Sequence, residues 1–171
     1  MNKVILGLTA LIFLAIWGCS SPKEVMDCYK PITIAQFLEE PFGKSENVVD
    51  LKKQFASDVK LKKLIRRNIH DPQKIDTIFQ FYHRKSEVFV YKTYFNREML
   101  LGGVIYDNRF PLINGITPGM SRDSFFKSFI DLKPEVSDSI KIESKEAMRK
   151  FSFIFDSKGK IKKISFTMYV D

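Results

Sequence analysis

The chain has 171 residues, 44% of them hydrophobic and 28% charged, with a formal net charge of +8; at roughly 150 residues per domain this is one domain, not a large multidomain enzyme. A 13% aromatic content with 8 Gly and 7 Pro excludes a collagen-like, broadly disordered or polytopic membrane chain. Two cysteines and two histidines are too few and too scattered for a disulfide scaffold or an ordinary zinc site, and no cofactor is expected.

Lys3 precedes an uncharged apolar run, Val4 to Trp17, that ends at Gly18-Cys19, the layout of a secretory signal. As a helix the run reaches about 21 Å, short of the roughly 30 Å hydrocarbon core of a bilayer, so a signal peptide is favoured over a spanning anchor. Ile16-Trp17-Gly18-Cys19 resembles the bacterial lipobox. That resemblance implies removal of residues 1–18, diacylation of Cys19 and attachment to a membrane through the lipid. With Ser20 after the cysteine, it further implies the outer membrane of a Gram-negative cell envelope. Several acyl chains make such an attachment effectively permanent. Residues 19–32 then read as the lipidated cysteine and its tether, with Cys28 an unpaired thiol inside it, and 33–171 as a single α+β domain.

In that domain Thr33 can cap a short helix through Phe37 and Leu38, which Pro41 stops and a Pro41-Phe42-Gly43 turn follows. Apolar residues from Val48 to Ile69 recur at spacings of three and four and predict helix over 46–69, divided near Ser57-Asp58. The period then changes to two. Residues 74–84, 87–95 and 98–107 read as antiparallel strands, with a further short strand at 109–114. Ser121 caps a second helix whose apolar stripe is Phe125, Phe126 and Phe129, and Pro134 ends it. Strands at 136–142, 148–156 and 160–170 complete the chain, the last two joined by a turn at Gly159. The expected class is α+β, helices packed on one face of an antiparallel sheet, with a weak echo of two helix-plus-three-strand units.

Ile116-Thr117-Pro118-Gly119-Met120-Ser121, the helix through Phe125 and Phe129, and Phe153-Ile154-Phe155-Asp156-Ser157-Lys158-Gly159-Lys160-Ile161 together are similar to the SmpA/OmlA outer-membrane lipoproteins. The same module occurs in tandem in proteins that resemble the β-lactamase inhibitors. The resemblance covers about residues 116–166 and implies a non-enzymatic envelope lipoprotein that binds another protein.

Lys52, Lys53, Lys60, Lys62, Lys63, Arg66 and Arg67 put seven cations in sixteen residues. On a helix they would form a polar face, and beside an anionic surface Lys60, Lys62, Lys63, Arg66 and Arg67 are the candidate contacts, each worth about 1 kcal/mol; a solvated face is the plainer reading. His70-Asp71 and His83 match no metal or general-base spacing. Ser121 lies outside the nucleophile-elbow pattern, and the adjacent Glu39-Glu40 do not face each other. The sequence therefore predicts no catalytic residues and no metal. It predicts a lipid-anchored envelope protein that acts by binding a protein partner, with a small-ligand or lipid-binding domain as the alternative. Nucleic acid is disfavoured by the compartment.

Overall fold

The computed structural model describes residues 30–68, 70–146 and 148–168. The expected signal segment, Cys19 and Cys28 lie outside them. Seven strands form one antiparallel sheet: β1 (Lys60–Arg67), β2 (Ile75–His83), β3 (Ser86–Lys92), β4 (Glu98–Ile105), β5 (Ser139–Ser144), β6 (Arg149–Phe155) and β7 (Ile161–Met168), in the order β1-β2-β3-β4-β7-β6-β5. The helices are short: α1 (Ile34–Glu39), α2 (Val48–Gln54) and α3 (Arg122–Lys127). None of the described helices is long and apolar enough to cross a membrane.

This corrects the expected α+β class. The protein is predominantly a seven-stranded antiparallel sheet, and helix is a minor part of it. The principal reason is the segment 46–69. Asn47 caps α2 by accepting the Asp50 amide, but the chain leaves helical geometry at Phe55 (φ −72°, ψ 154°) and re-enters as β1. All eight β1 residues oppose β2, from Lys60 against Tyr82 to Arg67 against Ile75. As an edge strand wet on both faces, β1 shows no inside–outside alternation, so its Leu61, Leu64 and Ile65 imitate helical spacing. Nor are there two equal units. Four strands follow α2 and three follow α3, and the two meanders meet through their last strands, β4 and β7. Residues 109–114 form no strand; a 3₁₀ turn occupies Ile113–Gly115.

The second expected helix, α3, is shorter than expected, ending at Lys127 ahead of Phe129 and Pro134, while the cap and turn expectations match what forms. Thr33 and Gln36 make a reciprocal capping box on α1, and Ser121 caps α3 by accepting the Ser124 amide. Gly159 takes φ +70° in the β6–β7 turn, where L side chains are strained.

One face of the sheet carries the core. Phe37, Phe42, Phe55, Phe110, Phe125 and Phe129 descend from helices and loops onto Phe81, Phe151, Phe153, Phe155 and Phe166 of the strands. Twelve of the sixteen phenylalanines are buried there, mostly as edge-to-face pairs such as Phe37–Phe151 at 4.8 Å and Phe55–Phe81 at 5.1 Å. Phe89 is different: it opposes Gln80 on the outer face and is only half-buried. The core continues across the β4–β7 seam because Gly103 has no side chain. A Cβ there would lie 2.6 Å from the Glu87 carbonyl and 2.7 Å from the Phe166 ring.

Candidate functional site: two sheet edges and a hairpin tip

The five candidate cations lie on β1, alternating between its faces. Lys60, Lys62 and Arg66 oppose Tyr82, Gln80 and Asp76, while Lys63 and Arg67 oppose Phe79 and Ile75 on the other face. The helical basic face expected from the sequence is thus replaced by a basic sheet edge. All five are largely exposed and make no ion pair among the described residues. A row of cations on an edge repels a second strand, so β1 is closed to edge pairing.

At the end of the sheet where β1 stops, two turns are tied together by Asp76, a carboxylate only 3% exposed. It accepts from Asn68 Nδ2 at 2.7 Å and from the Tyr94 amide at 3.2 Å. Asn68 Oδ1 in turn accepts the amides of His70 and Asp71. Lys74 pairs with Asp71 at 3.1 Å and lies 4.3 Å over the Tyr94 ring. The β3–β4 turn closes through the Asn96 amide to the Thr93 carbonyl, with Asn96 left-handed at φ 64°, which leaves Tyr94 and Phe95 at its two central positions.

A hydrogen bond from the Tyr91 hydroxyl, with those from Asn68 and the Tyr94 amide, holds Asp76 below the usual carboxylate range against the opposing effect of burial. The same bond, with burial, pushes the Tyr91 hydroxyl up to about 12. The consequences for stability run in opposite directions. Asp76 contributes above its ordinary pKa of 3.8 and loses that contribution as pH falls, whereas Tyr91 contributes fully below pH 10.0 and loses its contribution as pH rises toward 12. Comparing stability–pH profiles by chemical denaturation, Tyr91→Phe is expected to flatten the decline above pH 10.0. An unchanged difference between the two proteins across that range would contradict the bond.

His70 sits in the β1–β2 turn and His83 at the far end of β2, so the two histidines form no common site. His83 Nδ1 lies 3.1 Å from Asp107 Oδ2 and Nε2 3.5 Å from Asp58 Oδ2, with Arg109 Nε 3.0 Å from the same Asp58 oxygen. Ser86, 1% exposed, donates to Asp107 at 2.9 Å and accepts the Tyr106 amide. The hydroxyl is therefore directed to the carboxylate and not to the imidazole. Burial raises the Asp107 carboxyl, but hydrogen bonds from the Arg109 amide, His83 and Ser86 outweigh it and leave the group lowered. This arrangement fastens the β2–β3 turn to the segments after β4 and before β1.

The opposite edge is β5. Between it and α1 runs a groove of about 890 Å³, lined by Ile34, Ala35 and Leu38 on one side and by Glu143, Glu146 and Arg149 on the other. No family model, curated protein or solved structure matches the chain. The geometry of the two edges and of the tip is therefore what bears on function.

The amide of Phe155 donates to the Asp138 carbonyl, which sets the phase of the β5–β6 ladder. By antiparallel alternation Ile140 and Ile142 bond to β6, and the backbone of Ser139, Lys141 and Glu143 faces outward. Ser139 is already satisfied: its amide and carbonyl both bond to the Ser137 hydroxyl. The backbone of Lys141 and Glu143 is thus an open strand edge among the described residues, and Glu143 also lines the groove. Sequence reasoning missed this edge and the tip. The tip had a signal: an acid, Asp76, inside an Ile- and Phe-rich strand, and two consecutive aromatics immediately before Asn96.

Proposed function

We propose that this protein is a lipid-anchored envelope protein that works without catalysis by taking an extended segment of a partner protein onto the edge of β5. The observation that carries this reading is the outward backbone of Lys141 and Glu143, the second of which borders a groove with one apolar wall. Strand addition supplies main-chain hydrogen bonds, and the adjoining groove accepts alternate side chains. Glu39, Asp131, Glu143 and Glu146 on its rim, against Lys145 and Arg149, favour a segment with basic residues. The resemblance of residues 116–166 to the SmpA/OmlA lipoproteins, read from the sequence alone, implies the same class of activity. A ligand reading finds no room between sheet and helices, where buried phenylalanine rings pack, and would use a surface groove such as this one.

Proline at position 141 removes an outward amide while leaving the β6 ladder bonds in place. Lys141→Pro is therefore expected to change stability by less than about 1 kcal/mol, yet to abolish recovery of the partner when a photo-crosslinking residue is placed at Glu143 in cells. Undiminished recovery from the proline variant, at normal protein level, would overturn the strand-addition reading. The anchor has its own test. Cys19→Ala is expected to leave the folded domain intact and to move it out of the lipid-attached fraction on detergent phase partitioning; retention there would exclude lipidation at Cys19.

A further inference from the structure

The β3–β4 tip exposes what a turn ordinarily hides. Phe95 is 74% exposed, and its ring centroid lies 3.7 Å from that of Tyr94, the two planes tilted by 38°. Turn centres normally hold Gly, Asn, Asp, Ser or Pro. Ile75 (58% exposed) lies opposite Arg67 on the neighbouring strand pair, and Ile65 (66% exposed) is one strand position further along that face. These four apolar side chains gather at one end of one sheet. They do not complete the core, which is closed by other residues.

The charges around them have one sign to spare. Lys74 is paired with Asp71 and Lys92 with Glu98, while Arg66, Arg67 and Arg97 make no ion pair among the described residues. Asp76 is sequestered beneath the turns, where it fixes the Tyr94 backbone. An aromatic pair at an apex whose Tyr94 amide is fixed by Asp76, exposed aliphatic residues toward the same end of the sheet and unpaired arginines on the flanking segments are the composition of a surface that sits at a membrane interface.

We infer that this tip docks on an anionic lipid bilayer, with Tyr94 and Phe95 entering the headgroup region and Arg66, Arg67 and Arg97 contacting lipid phosphates. The lipid-anchor reading above supplies proximity: Lys30 is eleven positions after Cys19, a separation of at most about 40 Å, comparable to the diameter of a domain of this size. The tip thus lies within reach of the bilayer that holds the lipid. With its tip on the membrane the domain has a defined orientation, which a tether alone does not impose.

Trp17 is the only tryptophan and lies in the segment whose removal the lipid-anchor reading implies, so in the lipidated protein one introduced tryptophan reports alone on its surroundings. The lipidated protein carrying Phe95→Trp is reconstituted in vesicles of phosphatidylcholine, with or without phosphatidylglycerol, that contain brominated acyl chains. Tyr106→Trp, near the end of the sheet opposite the tip, serves as control. The expected result is a blue shift and quenching at position 95 in phosphatidylglycerol vesicles, little at 106, and loss of that quenching when Arg66, Arg67 and Arg97 are changed to Glu. Equal quenching at both positions, no quenching at 95, or quenching that survives charge reversal would each overturn the proposal. Flotation of the same samples reports anchoring separately: a chain that floats with an unquenched position 95 is anchored without the tip docking.

Discussion

Phe37→Ala is expected to destabilise the protein by about 3–5 kcal/mol, the range for removing a buried phenylalanine. Phe37 is fully buried and is the one ring of α1 that reaches Phe129 at 5.4 Å, Phe151 at 4.8 Å and Phe153 at 6.0 Å. Those neighbours come from β6 and from the chain after α3. They cannot close in without breaking other edge-to-face pairs, so most of the cavity would persist. A helix of six residues has almost no stability of its own, and what holds α1 is this burial plus its capping box. Since α1 forms one wall of the groove beside β5, the variant is also expected to weaken partner capture beyond its effect on the folded fraction. Denaturant titration reads the first effect; a midpoint within experimental error of the parent would mean that α1 is not seated by Phe37.

The second large effect is expected at Glu46 and Arg149. Arg149 donates through Nη1 to Glu46 Oε1 at 2.6 Å and through Nη2 to Oε2 at 2.9 Å, a two-pronged pair whose side chains are 20% and 13% exposed. Nη1 also reaches the carbonyls of Leu38 and Glu39, the last turn of α1, and Glu46 Oε2 accepts the Leu100 amide at 3.3 Å. One guanidinium therefore joins β6 to α1 and to the segment entering α2. Glu46→Gln or Arg149→Met would leave a charge without its partner, at a cost of about 2–3 kcal/mol after allowance for the remaining solvent access. Because the pair is mostly desolvated, the loss should persist at 1 M salt, where exposed pairs are screened. A double-mutant cycle with coupling near zero would show that the two groups act independently.

Legibility in the sequence followed solvent exposure. β2, β3, β4, β6 and β7 could be read because each has one dry face, and Phe81, Val88, Val90, Phe151, Phe153, Ile164 and Phe166 fall at every second position. The strand β1 could not, since burial imposes no pattern on a strand wet on both sides, and Leu61, Leu64 and Ile65 then matched the wrong period. The two turn-forming glycines at 43 and 159 and the caps Thr33 and Ser121 were legible from local chemistry alone. Of the candidate contacts, the cations of β1 were visible as a cluster but placed on the wrong kind of element. The tip at Tyr94 and Phe95 depends on Asp76 bringing together turns that lie some twenty residues apart in sequence, which no local pattern encodes.

The junction of β4 with β7 governs how the chain reaches this state. β7 is the last strand in sequence, yet it lies inside the sheet, between β4 and β6. Until it arrives, the first four strands can pair only among themselves and the edge of β4 stays bare, while β5 and β6 have no attachment to them. Half-formed molecules therefore carry a sticky strand through the whole interval before closure, and pairing over so long a separation in sequence is slow. The yield of folded protein should therefore be set by the speed of the final strand's insertion and by whatever shields β4 in the meantime.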